Sequence, residues 1–215
     1  MNKPILATNI DGFLIKHEAF ILPHKAWFKR AIQLTGDTNL EKWIKRKDYF
    51  QGVDLAMAQI MPQATEQQRT LQARHWYQED VVQYIANHPK AVYIQVVEKL
   101  RKLKSRFRLA LVTTNTKEYI QQILKTAKLQ GLYDIVFAIS ATEKPDKAEL
   151  FKRFAQEHGN PKYYIAARSK EAFEECLKLG SLCIYAAWDE FDKETASLAT
   201  QTIRKPSELE IKLFR

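Results

Sequence analysis

The side chains most able to do chemistry sit in four short stretches, each at or just beyond the end of an apolar run: Asn9 and Asp11 before Gly12, Thr113-Thr114-Asn115, Lys144-Pro145, and Arg168-Ser169. Hydroxyls beside a Lys and an Arg suit an anion such as phosphate, because cations and the unpaired N–H groups of helix N-termini both favour negative charge. Other chemistries lack their residues. The five histidines, His17, His24, His75, His88 and His158, are scattered with no H-x-x-x-H pairing, so neither catalysis nor metal binding is expected of them. No G-x-x-x-x-G-K-[ST], G-x-S-x-G or Gly-rich dinucleotide loop occurs, and the chain has only six glycines. Cys176 and Cys183 have no His near them at metal-ligand spacing and read as buried thiols.

These stretches need strands to bring them together. Ile5–Thr8 is an apolar run ending in Asn-Ile-Asp-Gly, the pattern of a buried parallel strand that delivers polar residues at its carboxyl end, where open α/β sheets bind ligands. From Arg108 onward the texture is of alternating strands and helices. Strands are expected at 109–115, 135–140, 163–167, 182–188 and weakly at 202–204, with helices at 118–129, 147–158, 170–179 and from Pro206. A Gly follows each of the first three helices, at 131, 159 and 180, as a left-handed terminus would require.

Between the first strand and this block, residues 15–107 read as helices. The first spans 24–34 and stops at Gly36; a second covers 40–60 with a break or bend at Gly52. Thr65-x-x-Gln68 is a capping box opening a third that ends before Pro89, and 92–104 is a fourth. The Trp and Tyr residues here are read as bundle core. The expected domains are therefore 1–14 plus 108–215 as a sheet core, with 15–107 as a helical insertion.

Whole-chain properties set limits. At 215 residues, 46% hydrophobic and 27% charged, the chain is an ordinary globular protein with room for one good core and a small second lobe. No apolar run could span a membrane, and MNKPILATNIDGF reaches Asp11 before any small-residue cleavage site, so the expected location is cytoplasmic. Residues 1–108 hold 18 Lys and Arg against 10 Asp and Glu, while 109–215 hold 16 against 15. The basic run 99–108 falls at a helix end, where cations suit the dipole; it is read as a solvated terminus, with nucleic-acid binding through the basic half kept as an alternative.

The chain resembles the haloacid dehalogenase-like hydrolases, whose members are mostly phosphatases. Four motifs of that family have counterparts in order: Asn9-Ile10-Asp11-Gly12 for a strand ending D-x-D-G, LALVTTN with Thr113 for a strand ending in Ser or Thr, Lys144-Pro145-Asp146 for a Lys-Pro segment, and IAARSKEAF for a strand ending G-D-x-x-x-D. The stretch His88–Asn115 is similar to the family's approach to its second motif. The resemblance implies an α/β fold, a Rossmann-like parallel-sheet core with helices on both faces and an inserted helical cap.

It also implies roles. The first Asp of the opening motif is the family's nucleophile and a Mg²⁺ ligand; here it is Asn9. The second, implied to be the general acid/base, is kept as Asp11. Ala167, Arg168 and Ala172 stand where the fourth motif has Gly, Asp and Asp. A carboxamide is a poor nucleophile and a weaker Mg²⁺ ligand than a carboxylate, so the usual covalent chemistry is not expected. What remains is a metal-independent phosphate site of Thr113, Thr114, Lys144 and Arg168 in a pseudoenzyme, with no cofactor expected. Its partner would be a small phosphorylated or anionic ligand or a protein. A salt bridge from Arg168 to Asp11 would fill that site with protein charge instead. The alternative is an active phosphohydrolase using Mg²⁺, in which Asp11 with Asp189, Glu190 or Asp192 supplies replacement oxygen ligands.

Overall fold

The computed structural model describes residues 3–210 except Lys47, Thr142, Lys144 and Glu190. Its described residues form two compact units, one of 3–17 with 89–210 and one of 18–88.

The first unit is built on a six-stranded, all-parallel sheet of order β3-β2-β1-β4-β5-β6. The strands are β1 (Ile5–Thr8), β2 (Arg108–Thr116), β3 (Ile135–Ile139), β4 (Tyr163–Ala166), β5 (Leu182–Ala186) and β6 (Gln201–Ile203). Helices cover the connections: α4 (Ile94–Leu103), α5 (Lys117–Thr126), α6 (Lys147–His158), α7 (Lys170–Lys178) and the short α8 (Lys193–Ser197). All four residues of β1 and of β4 are buried, which is why both read as unbroken apolar runs. The chain moves outward from β1 through β2 to β3, then returns to place β4 on the other side of β1. Such a reversal opens a crevice at the carboxyl ends of β1 and β4, which is where this topology takes ligands.

The second unit holds α1 (Glu18–Thr35), a 3₁₀ segment at Thr38–Lys45, α2 (Phe50–Ile60) and α3 (Glu66–Asn87). Trp27, Phe28, Ala31, Leu40, Trp43, Ala56, Met57 and Ala73 form its core, so Trp27 and Trp43 are core residues as their spacing suggested. The Thr65–Gln68 capping box is present with both of its reciprocal bonds. Arg30 pairs with both Asp80 oxygens at 2.9 and 3.2 Å, tying α1 to α3.

Several local expectations need correction. The helix expected from His24 begins at Glu18 and runs through Pro23. Gly52 is no break: it lies inside α2, and a Cβ there would stand 2.2 Å from Trp43 Cγ, so the position admits only hydrogen. The interruption falls between Lys45 and Phe50 instead. After α5 the left-handed residue nearest the helix is Lys128 (φ 56°), three residues before Gly131. Helix α4 and the short helix at Pro89–Ala91 belong to the sheet unit, so the compact units divide at His17 and His88, where 14 and 107 were expected. The helix expected from Pro206 is one 3₁₀ turn, and α8 had no sequence signal. No helix of the described residues is long and apolar enough to cross a membrane. Two lysines of the basic run 99–108 are paired, Lys99 with Glu210 at 3.6 Å and Lys104 with Asp134 at 2.9 Å.

Candidate functional site

Asn9 leaves β1 with its main-chain N–H bonded to Ile165 O of β4, so it sits in the crevice between the two strands. Its side-chain Nδ2 donates one hydrogen to Asp11 O at 2.9 Å and the other to Arg168 O at 3.1 Å. Two carbonyl acceptors fix which end of the amide is nitrogen. The amide thus joins the loop after β1 to the loop after β4. Its Oδ1 is buried and has no hydrogen-bond partner among the described residues.

Beyond Asp11 the chain must turn back at once. Gly12 does this with φ 71°, and a Cβ there would meet Ala167 Cβ at 2.9 Å, so both conformation and space require glycine. Ile10 O then accepts from Leu14 N and Ile15 N, and Gly12 N donates to Ile15 O. Bonds between Lys16 N and Ala91 O and between Tyr93 N and Leu14 O hold the returning strap. Its end delivers His17 to the site. His17 Nδ1 lies 2.9 and 3.1 Å from the two Asp11 carboxylate oxygens, and its main-chain N–H donates to Asp189 Oδ2 at 2.7 Å. The Trp188 indole donates to Phe13 O at 3.2 Å, fastening the loop after β5 to the same strap.

The side of the site formed by α6 and α7 is also polar. Ser169, the residue before α7, is buried and has φ 141°, a conformation costly for a residue with a Cβ. Its N–H donates to Thr195 Oγ1 at 3.1 Å and its Oγ accepts from the Lys147 ammonium. Lys147 opens α6. Burial pulls its pKa down from the usual lysine value, while the charges of Glu171 and Asp11 oppose that pull. Beneath the site Thr8 Oγ1 and Tyr133 OH are 2.8 Å apart, and burial raises the Tyr133 pKa. Burial likewise raises that of Cys176, whose thiol is next to Cys183.

The expected residues are distributed as follows. Asn9, Asp11 and Arg168 come together at the crevice. Thr113, buried at the end of β2, accepts from Asn115 N and Nδ2, both at 3.1 Å, and Thr114 beside it is half-buried. Lys144 and Glu190 lie outside the described residues; the lysine whose placement ties it to Asp11 is Lys147, three positions on. Ala172 is buried in the core. Asp189 is used by the His17 N–H, and Asp192 caps α8 through Glu194 N and Thr195 N and accepts from Thr195 Oγ1 at 2.6 Å. Sequence reasoning set His17 aside and passed over Lys147. No spacing signal marks either, since both reach the site through chain reversals.

The donor set does not fit a divalent cation. Hard ions such as Mg²⁺ take several oxygens in near-octahedral geometry. Here the Asn9 NH₂ already occupies the place between the Asp11 and Arg168 carbonyls, and the Asp11 and Asp189 carboxylates face N–H donors. Among the described residues no three His, Cys, Asp or Glu side chains gather as a metal site.

An all-parallel, Rossmann-like sheet with its polar residues at the switch point defines the class of protein. Residues 11–165 match the family model of the haloacid dehalogenase-like hydrolases, and the chain belongs to that family. The matched segment begins at Asp11 and ends at Ile165, so Asn9 and Arg168 lie outside it. Solved structures share the fold across nearly the whole length. A haloacid dehalogenase-like family hydrolase from Streptococcus pneumoniae is 16% identical, with 99% of each chain covered and a TM-score of 0.66. A predicted phosphatase from Clostridium acetobutylicum is 19% identical over 99% of each chain, with a TM-score of 0.66. A β-phosphoglucomutase from Clostridium difficile is 14% identical over 99% of this chain and 95% of that one, with a TM-score of 0.67. No curated protein matches the chain.

Proposed function

We propose that this chain is a haloacid dehalogenase-like protein that has lost Mg²⁺-dependent aspartyl-phosphate chemistry and binds a small phosphorylated or anionic ligand without a metal. One observation carries the reading: the amide at the nucleophile position is held by two main-chain carbonyls that a carboxylate could not satisfy. Both hydrogens of Asn9 are used, and a carboxamide has no anionic oxygen with which to attack phosphorus. Arg168 stands where the family pattern has a carboxylate, and with Lys147 it brings positive charge to the strand tips. Thr113 and Thr114 contribute hydroxyls and α7 an N-terminus without a side-chain cap, all suited to phosphate oxygens. Unit 18–88 takes the part of the helical cap.

Hydrolysis of p-nitrophenyl phosphate and a panel of phosphomonoesters, with Mg²⁺ or with EDTA, tests the proposal. The expected result is no Mg²⁺-dependent turnover. Turnover that requires Mg²⁺ and disappears in Asp11→Ala would overturn it in favour of a phosphohydrolase with rearranged residues.

A further inference from the structure

A site that holds phosphate beside a nucleophile can hold a phosphoryl group covalently, and most nucleophiles at these strand tips are spoken for. Thr113 Oγ1 accepts two hydrogen bonds from Asn115, and Ser169 Oγ accepts one from an ammonium, which draws electron density away from each oxygen. The Asp11 oxygens both face the His17 ring, and the Asn9 amide is not nucleophilic. The His17 imidazole is different. A carboxylate can only accept, so Nδ1 carries the hydrogen toward Asp11, and in the neutral ring the lone pair is on Nε2. The ring's contacts to Asp11 are made at Nδ1, and the His17 side chain keeps 16% of its surface exposed. The ring is pinned at Nδ1 by Asp11 and the backbone by Asp189, so Nε2 is held in a set direction. A carboxylate behind the imidazole orients it and strengthens the far nitrogen as a base and nucleophile.

We propose that His17 is a phosphoryl acceptor, phosphorylated on Nε2 by a small acyl phosphate. The inference rests on the proposed metal-free anion site, in which Arg168 and Lys147 offset the charge of the phosphoryl oxygens. The Nε2 lone pair forms the N–P bond, and the P–O bond to the acyl oxygen breaks. The leaving group departs as a carboxylate and needs no proton. The Nδ1 proton of the resulting imidazolium passes to the Asp11 carboxylate, leaving an uncharged ring that bears the anionic phosphoryl group. No metal and no redox partner enters the step.

The test uses the full chain with acetyl phosphate in EDTA, read by intact mass and by fragment-ion localisation under alkaline conditions. The expected result is one phosphoryl group on His17, lost in acid but stable to alkali. It is absent in His17→Gln, and it forms at least about tenfold more slowly in Asp11→Asn, the loss typical of removing a group that orients a histidine. Localisation on the unsubstituted protein decides the matter even where a variant fails to fold. No adduct, or an adduct on another residue, in a protein that still binds inorganic phosphate would overturn the inference and leave the anion site standing. An alkali-labile adduct on Asp11 that forms only with Mg²⁺ would overturn both.

Discussion

Asn9→Asp replaces one NH₂ group with an oxygen and so restores the opening motif of the family; intuition says it should restore chemistry. The site says otherwise. Its Nδ2 bonds to Asp11 O at 2.9 Å and Arg168 O at 3.1 Å would become contacts between a carboxylate oxygen and two carbonyl oxygens. Two hydrogen bonds at about 1 kcal/mol each are lost, and a part-buried acceptor left facing acceptors costs about 1–3 kcal/mol more. Attraction to the Arg168 and Lys147 cations returns about 1 kcal/mol. The net expectation is about 3 kcal/mol of destabilisation, or a Tm lower by about 6–12 °C for a chain of this size. Protonation of the new carboxyl would give back one donor, so the deficit narrows as pH falls toward the carboxylate range. Differential scanning calorimetry at several pH values, paired with a p-nitrophenyl phosphate assay in Mg²⁺, reads both consequences. A variant that melts with the parent, gains Tm on adding Mg²⁺ and turns over substrate would refute the reasoning, because the crevice would then be built for a carboxylate.

Other consequences follow from neighbouring contacts. Gly12→Ala forces a Cβ to 2.9 Å from Ala167 Cβ at φ 71°, so urea unfolding should show a loss of about 2–4 kcal/mol, larger than an ordinary surface Gly→Ala. Thr8 and Tyr133 are bonded to each other in the core, so Tyr133→Phe should cost about 1–2 kcal/mol; in a double-mutant cycle the added Thr8→Val should recover much of that, and a strictly additive cycle would contradict the pairing. Because burial lowers the Lys147 pKa below its value of 10.5 in the free side chain, the unfolded chain binds more protons between the two values, and this residue's contribution to stability rises with pH across that window. Comparison with Lys147→Met should show the wild type gaining on the variant as pH rises toward 10.5; a flat difference would contradict a buried ammonium.

How much of this was legible in the sequence depends on the range of the interaction. The strand at Ile5–Thr8 and helix α6 at Lys147–His158 follow from local patterning, since an apolar run before Asn-Ile-Asp-Gly and an apolar stripe between an Asp cap and Gly159 need no distant partner. The Thr65–Gln68 box is equally local. Gly52 was misread because its reason is a tryptophan from another element, and a glycine excluded by packing is written the same way as a glycine in a bend. Substitution of the nucleophile was plain in Asn9. That the amide joins two loops was not, because Arg168 O is a main-chain atom 159 residues away and carries no residue type to read. His17 reaches Asp11 only because Gly12 reverses the chain and the strap pairs with residues 91–93. Asp189 and Asp192 looked like spare metal ligands, yet their oxygens serve backbone N–H groups, a use that composition cannot distinguish from coordination.

The central claim is a phosphate site whose charge is balanced by protein cations and whose nucleophile position is an amide. Isothermal titration of inorganic phosphate into the protein, in EDTA and again in excess Mg²⁺, tests it most directly. Binding of equal affinity in both conditions, weakened by Arg168→Ala, is the predicted result. Phosphate that binds only in the presence of Mg²⁺, or that gives no heat and no rise in Tm in either condition, would contradict it.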